Sequence, residues 1–117
     1  MLYEKLDVWK RSRQLSIDVY RQLHSCRDFG FKDQITRSAL SVPSNIAEGC
    51  ERVSLKERGR FLSIAKGSVG EFKTQADIGS AVGFIPSNVG GAWQKEASDI
   101  SRMLAALINK INRDLSQ

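Results

Sequence analysis

The residues with the richest chemistry lie in one stretch, RSALSVPSNIAEGCER, from Arg37 to Arg52. Ser38, Ser41, Ser44, Asn45 and Glu48 crowd around Pro43 there. Hydroxyl, amide and carboxylate groups so close together are the raw material of nucleophilic catalysis. A serine nucleophile, however, needs a base at its side and donors for an oxyanion, and no base or oxyanion hole accompanies these serines. His24 is the only histidine. It falls at the predicted C-terminus of the first helix, where the helix dipole favours its protonated form, and no Cys/Asp/Glu constellation completes a metal site with it. Cys26 and Cys50 lack metal-ligand spacing, and two cysteines do not make a disulfide framework. They read as small, reduced, half-buried residues. Gly67 and Gly70 lie inside a predicted helix, not between a strand and a helix where a phosphate-cradling loop needs them. The expectation is a protein with no catalytic residues, no cofactor and no metal.

Binding chemistry is better represented. Lys10, Arg11 and Arg13 cluster on the first predicted helix, and Arg52, Lys56, Arg58 and Arg60 surround the start of the third. Two readings apply: a solvated surface interspersed with Glu51 and Glu57, or contacts to phosphate. The net charge of +5 favours polyanions. It is concentrated in residues 1–60, where 12 Lys/Arg face 8 Asp/Glu. No base-reading module is evident, so binding to RNA or DNA would be electrostatic and weakly sequence-specific. Trp9 and Trp93 lie on or beside apolar stripes and read as core or interface residues, not as stacking platforms for bases.

The elements that position these groups are helical throughout. A chain of 117 residues is one domain, 1–117. Its 41% apolar and 26% charged content suits a soluble globular protein. Apolar residues recur at i+3 and i+4 spacing in four segments. The first runs from Glu4 or Lys5 to Ser25, on Val8, Leu15, Val19 and Leu23. The second runs from Lys32 to Glu48, on Ile35, Ala39, Val42 and Ile46, with Gly49 placed for a left-handed C-cap. The third starts at Ser54 in the capping box Ser54-Leu55-Lys56-Glu57. Its stripe is Phe61, Ala65, Val69, Phe72 and Ala76, with Val82 as its last candidate, and Gly83 is near its end. The fourth starts at Ser87 or Asn88, both good N-caps. It carries Val89, Trp93, Ala97, Ile100, Leu104, Leu107, Ile111 and Leu115, and the Gly90-Gly91 pair is expected to fray its first turn. Long helices with short links predict an all-α, antiparallel up-down four-helix bundle. No apolar run is long enough to span a membrane. Glu4 and Asp7 interrupt what a signal peptide would need at the N-terminus, so no membrane association and a cytoplasmic location are expected.

Two features resist a plain bundle reading. Pro43 inside a helix removes a donor and crowds the carbonyl of residue 39, at about 3 kcal/mol. Ser41 or Ser44 is expected to re-satisfy the backbone. Arg37, Ser41, Asn45 and Glu48 share one side of that helix, and the third helix carries Gly59, Ser63, Gly67, Gly70 and Thr74 at spacings of three and four. Interior glycines cost about 0.8–1 kcal/mol each against alanine. Close backbone approach would offset that cost, either between the second and third helices of one chain or between subunits of an oligomer.

The run QITRSALSVPSNIAEGCERVSLKERGRFLSIAKGSVGEF resembles the signature of four-helix-bundle proteins encoded in intervening sequences of bacterial 23S ribosomal RNA genes. Gln34, Ile35, Arg37, Ala39, Ser41, Val42, Pro43, Asn45, Ile46, Ala47, Glu48 and Gly49 carry its first half. Phe61, Leu62, Ile64, Ala65, Gly67, Ser68 and Glu71 carry its second. The chain departs from the pattern at CRDFGF, where Phe-Pro is usual, and at Arg13, where a small or apolar residue is usual. The resemblance implies a homo-oligomeric ring, a homopentamer, with Arg37, Ser41, Pro43, Asn45, Glu48, Gly49, Ser63, Gly67, Ser68, Gly70 and Glu71 as structural or interface residues. It extends to the similar accessory proteins of diversity-generating retroelements. That implies nucleic acid, or a protein such as a reverse transcriptase, as the partner.

Overall fold

The computed structural model describes residues 2–117. A 3-10 turn at Tyr3–Lys5 precedes α1 (Asp7–Gln22), α2 (Phe29–Glu51), α3 (Leu55–Ala81) and α4 (Ser87–Leu115). No strand occurs among the described residues. Each helix packs against its sequence neighbour, and α4 closes back on α1 through the sparsest of the contacts. Short links between side-by-side helices turn each one back along its predecessor. The result is a rod of 49 × 22 × 19 Å.

The apolar stripes meet along the axis. Val19, Ile35, Ile46, Ala65, Phe72, Ala76, Ala97, Ile100 and Leu104 are sealed from solvent or nearly so. Phe72 and Trp93 touch as a tilted pair with ring centroids 6.0 Å apart. Three predicted positions change. Leu62, not Phe61, is the buried residue of the first α3 turns. Val82 and Leu115 lie outside the core at 58% and 50% exposure. Ile85 in the α3–α4 link is buried instead, because the link folds over the end of the bundle.

Helix ends follow local chemistry more than periodicity. Asp28 caps α2 by accepting from the Phe31 amide at 3.0 Å, so the helix starts ahead of the predicted Lys32. Ser54 caps α3 by accepting from the Glu57 amide at 3.0 Å. The Glu57 carboxylate accepts from Arg60 Nε at 2.7 Å, so the side chain is engaged within α3. Gly83, at φ +85°, ends α3 in a Schellman arrangement: the Phe84 and Gly83 amides donate to the Gly79 and Ser80 carbonyls at 2.9 and 3.2 Å. Pro86 in extended conformation opens α4 without a side-chain cap, so Ser87 and Asn88 lie in the first turn and do not cap it.

Glycine placement corrects the expectations most. Gly49 is not a left-handed C-cap. It is helical and buried inside α2, where an added Cβ would stand 3.1 Å from Phe61 Cβ and 3.3 Å from the Arg58 carbonyl. Gly90 does not fray: it is buried against α3, where a Cβ would run into Ser80 Oγ. That hydroxyl is buried without a hydrogen-bond partner. An unsatisfied buried hydroxyl costs about 1–3 kcal/mol. Ser80→Ala should therefore raise the stability measured by urea unfolding, with no change in helical content.

Candidate functional site

The residues singled out around Pro43 form a polar seam between α2 and α3. Pro43 is buried, and α2 runs through it unbroken. Ser41 Oγ and Ser68 Oγ pair across the two helices at 2.9 Å. Asn45 Nδ2 donates to the Ser41 carbonyl at 2.8 Å and to Ser41 Oγ at 2.9 Å. The asparagine thus braces the Ser41 carbonyl and not the Ala39 carbonyl that Pro43 leaves without its donor, while Ser41 turns to Ser68 and Ser44 is exposed, so the expected serine remedy does not form. One turn earlier, Ser38 Oγ donates to Gln75 Oε1 at 2.6 Å, and Gln75 Nε2 donates to Glu71 Oε1 at 3.3 Å. Arg37 Nε binds Asp33 Oδ2 at 3.1 Å, and Glu48 pairs with Arg52; both are exposed pairs along α2. The seam is a set of hydroxyl and amide groups that satisfy one another, which is what half-buried polar groups between helices require.

The glycine and small-residue strip of α3 behaves differently. An added Cβ at Gly67 or Gly70 would meet nothing within 4 Å, and Ser63 and Thr74 are exposed. Gly59 faces Ile111 at an ordinary 3.4 Å. At Gly67 and Gly70 no helix of the same chain presses on the strip, so the intrachain account fails at those two positions. Close approaches occur instead at Gly49, Gly79 and Gly90.

The predicted basic residues divide into engaged and free. Arg11 Nε and Nη2 reach Glu96 at 2.9 and 2.5 Å, and Nη2 reaches Asp99 at 3.0 Å. The guanidinium thus fastens α1 to α4. Arg52 and Arg60 lie 4.9 and 4.6 Å from the centroid of the Phe61 ring while holding Glu48 and Glu57. Phe61 is half-buried, with both guanidiniums over its ring as cation–π partners. Arg58 Nε donates to the Arg52 carbonyl at 2.7 Å. Lys10, Arg13 and Lys56 are exposed and make no ion pair among the described residues. Lys66 and Lys73, which periodicity did not single out, are equally free.

Asp99 receives Arg11, Lys95 and Arg102. The Arg11 hydrogen bond, aided by the nearby cations, holds its carboxyl below the usual carboxylate range against a smaller opposing effect of burial. A depressed folded-state pKa contributes stability above the unfolded value, near 3.9, which is lost as pH falls through the folded value. Melting temperature should therefore drop on acidification below about pH 4, and Asp99→Asn should flatten that drop. Burial pushes the Cys50 thiol up, which disfavours the thiolate that metal ligation or nucleophilic attack requires. Among the described residues no helix is long and apolar enough to cross a membrane.

The chain is a four-helix bundle whose polar groups between α2 and α3 are spent on one another and whose surface carries unpaired cations as well as unpaired carboxylates. The chain is a member of the 23S rRNA-intervening sequence protein family, whose model matches residues 4–106. Its fold is similar to the crystal structure of a protein of unknown function from the S23 ribosomal protein family of Bacteroides thetaiotaomicron VPI-5482. The TM-score is 0.81 at 21% identity, over 86% of this chain and 97% of that one. Among curated proteins none matches the chain.

Proposed function

We propose that the protein is non-enzymatic and works as a ring of identical subunits that binds RNA or DNA through phosphate contacts. The supporting observation is the set of exposed lysines and arginines without carboxylate partners: Lys10, Arg13, Lys56, Lys66 and Lys73. Five subunits at +5 each would total about +25 and turn a modest patch into a strong field. Assembly has its own support. Tyr20, Leu40, Ile64 and Ile78 remain 41–51% exposed in a single chain, and the glycine cost at Gly67 has no offset within it.

Light scattering tests the ring: a homopentamer of 13.1 kDa chains weighs about 65 kDa. Binding of a labelled structured RNA tests the ligand, because phosphate contacts make affinity fall steeply between 50 and 200 mM salt. Affinity that ignores salt, or no binding at all, overturns the nucleic-acid role. Arg58→Glu with Arg60→Glu should weaken binding if the start of α3 takes part. The same exposed apolar residues favour a second reading, an adaptor for another protein such as a reverse transcriptase. A protein partner recovered after nuclease treatment supports that reading over the first.

A further inference from the structure

A groove of about 310 Å3 runs between α3 and α4. Lys66 and Lys73 stand on its α3 side, Arg102 on its α4 side, and Ser98 and Ser101 reach in from α4. Its floor is small, made of Gly70, Val69 and alanines. We infer that this groove is the track for a single sugar–phosphate strand; the inference rests on the nucleic-acid reading and gives that reading a place and a strand class.

The chemistry of the lining is one-sided. Its polar side chains are cations or hydroxyls, and no carboxylate lines it. Lys66 and Lys73 have no ion pair among the described residues, so their charge is available. Arg102 shares its guanidinium with Asp99, which Arg11 and Lys95 also hold, so Arg102 is secondary. Ammonium groups and hydroxyls are the donors that phosphate oxygens accept from. Lys66 and Lys73 lie seven residues apart on one ridge, about 10 Å along the axis at 1.5 Å per residue. They can thus hold separate phosphates of one strand. Gly70 between them lacks a side chain, and nothing within 4 Å occupies the space a Cβ would take.

Shape selects one strand. The furrow between packed helices, whose axes are about 8–10 Å apart, admits a single backbone but not the width of a duplex. No aromatic residue lines it, so it offers no stacking platform of the kind that gives base preference. Bases point outward, and sequence is not read.

Fluorescence polarisation of labelled 20-mers of dT and dA, and of a 20-base-pair duplex, with the full chain tests this. The two single strands should bind within about two-fold of each other, the duplex more weakly, and inorganic polyphosphate should displace both. Lys66→Glu with Lys73→Glu should abolish binding at moderate salt. Lys66→Ala with Lys73→Ala should make the log–log salt slope shallower by about 1.4, at 0.7 per single-strand phosphate contact. Lys5→Glu with Arg27→Glu alters net charge as much as the first pair but lies outside the groove, and should retain binding. Thermal melts confirm that the variants fold. Equal binding by the groove variants and the wild type, equal loss in the control pair, or a preference for the duplex overturns the groove as a single-strand track while the nucleic-acid role stands. Failure of the wild type to bind any of the three probes at low salt overturns both.

Discussion

Gly79→Leu is expected to destabilise the protein by about 3 kcal/mol or more, the upper end of what overpacking a core costs. Gly79 is buried in the last turns of α3. A Cβ alone would stand 2.6 Å from both Phe31 Cζ and Ile85 Cδ1. Ile85 is 1% exposed, so it has no room to retreat. The Gly79 carbonyl also accepts from the Phe84 and Ile85 amides at 2.9 and 3.1 Å, so moving α3 aside would strain the link into α4. Gly67→Leu makes the same chemical change on the same helix and is its control. Nothing lies within 4 Å of a Cβ there, and leucine is the better helix former by nearly 1 kcal/mol. The isolated chain should therefore melt at the same temperature or slightly higher. If a second subunit covers that position, Gly67→Leu will lower the mass in solution while leaving the monomer fold intact. Chemical unfolding and light scattering on both variants separate the two effects. Equal stabilities for both variants would refute the packing account of Gly79.

Phe72→Ala is expected to cost about 3–5 kcal/mol, the range for deleting a buried aromatic ring. Phe72 is 1% exposed and leans on Trp93, itself 6% exposed. Removing the ring leaves a cavity between α3 and α4, the most extensively packed pair of helices. A small domain has only about 5–15 kcal/mol to lose, so the variant should unfold at markedly lower urea, and Trp93 should show red-shifted emission where the cavity admits water. Phe72→Leu keeps most of the volume and should lose far less. A Phe72→Ala protein within 1 kcal/mol of wild type would mean that the centre of the bundle collapses around the deletion.

Pro43 shows how a correct expectation of strain can miss its remedy. The proline marks a problem at the Ala39 carbonyl, but the Ser41 hydroxyl expected to answer it is claimed by what lies across the helix interface. Ser41 is drawn toward Ser68 on α3, and Asn45 is left to cap the Ser41 carbonyl. Neither distance is implied by spacing along one helix. Phe61 is the same lesson in the core. It fits the apolar stripe of α3 as well as Leu62 does, yet it is only half-buried, with the guanidiniums of Arg52 and Arg60 over its ring. Arg11 looked like one of three equivalent cations on α1. It is bound by two carboxylates from α4, far away in sequence, whereas Lys10 and Arg13 are free.

Periodicity was enough for four helices and for nearly all of the buried stripe, because a helix must turn its apolar residues inward every three or four positions whatever it packs against. The capping role of Ser54 and the turn at Gly83 were equally legible, being matters of a few neighbouring bonds. The meaning of each glycine was not. Gly49, Gly67, Gly79 and Gly90 are the same residue with the same local cost, and they differ only in what stands opposite: backbone and Phe61 at Gly49, open space at Gly67, two apolar side chains at Gly79, a serine at Gly90. The groove holding Lys66, Lys73 and Arg102 was hidden for the same reason. Its two walls are about thirty residues apart in the chain, and which cations face each other across it follows from the rotation of α3 against α4, a quantity set by side-chain packing over the whole interface and absent from either helix alone.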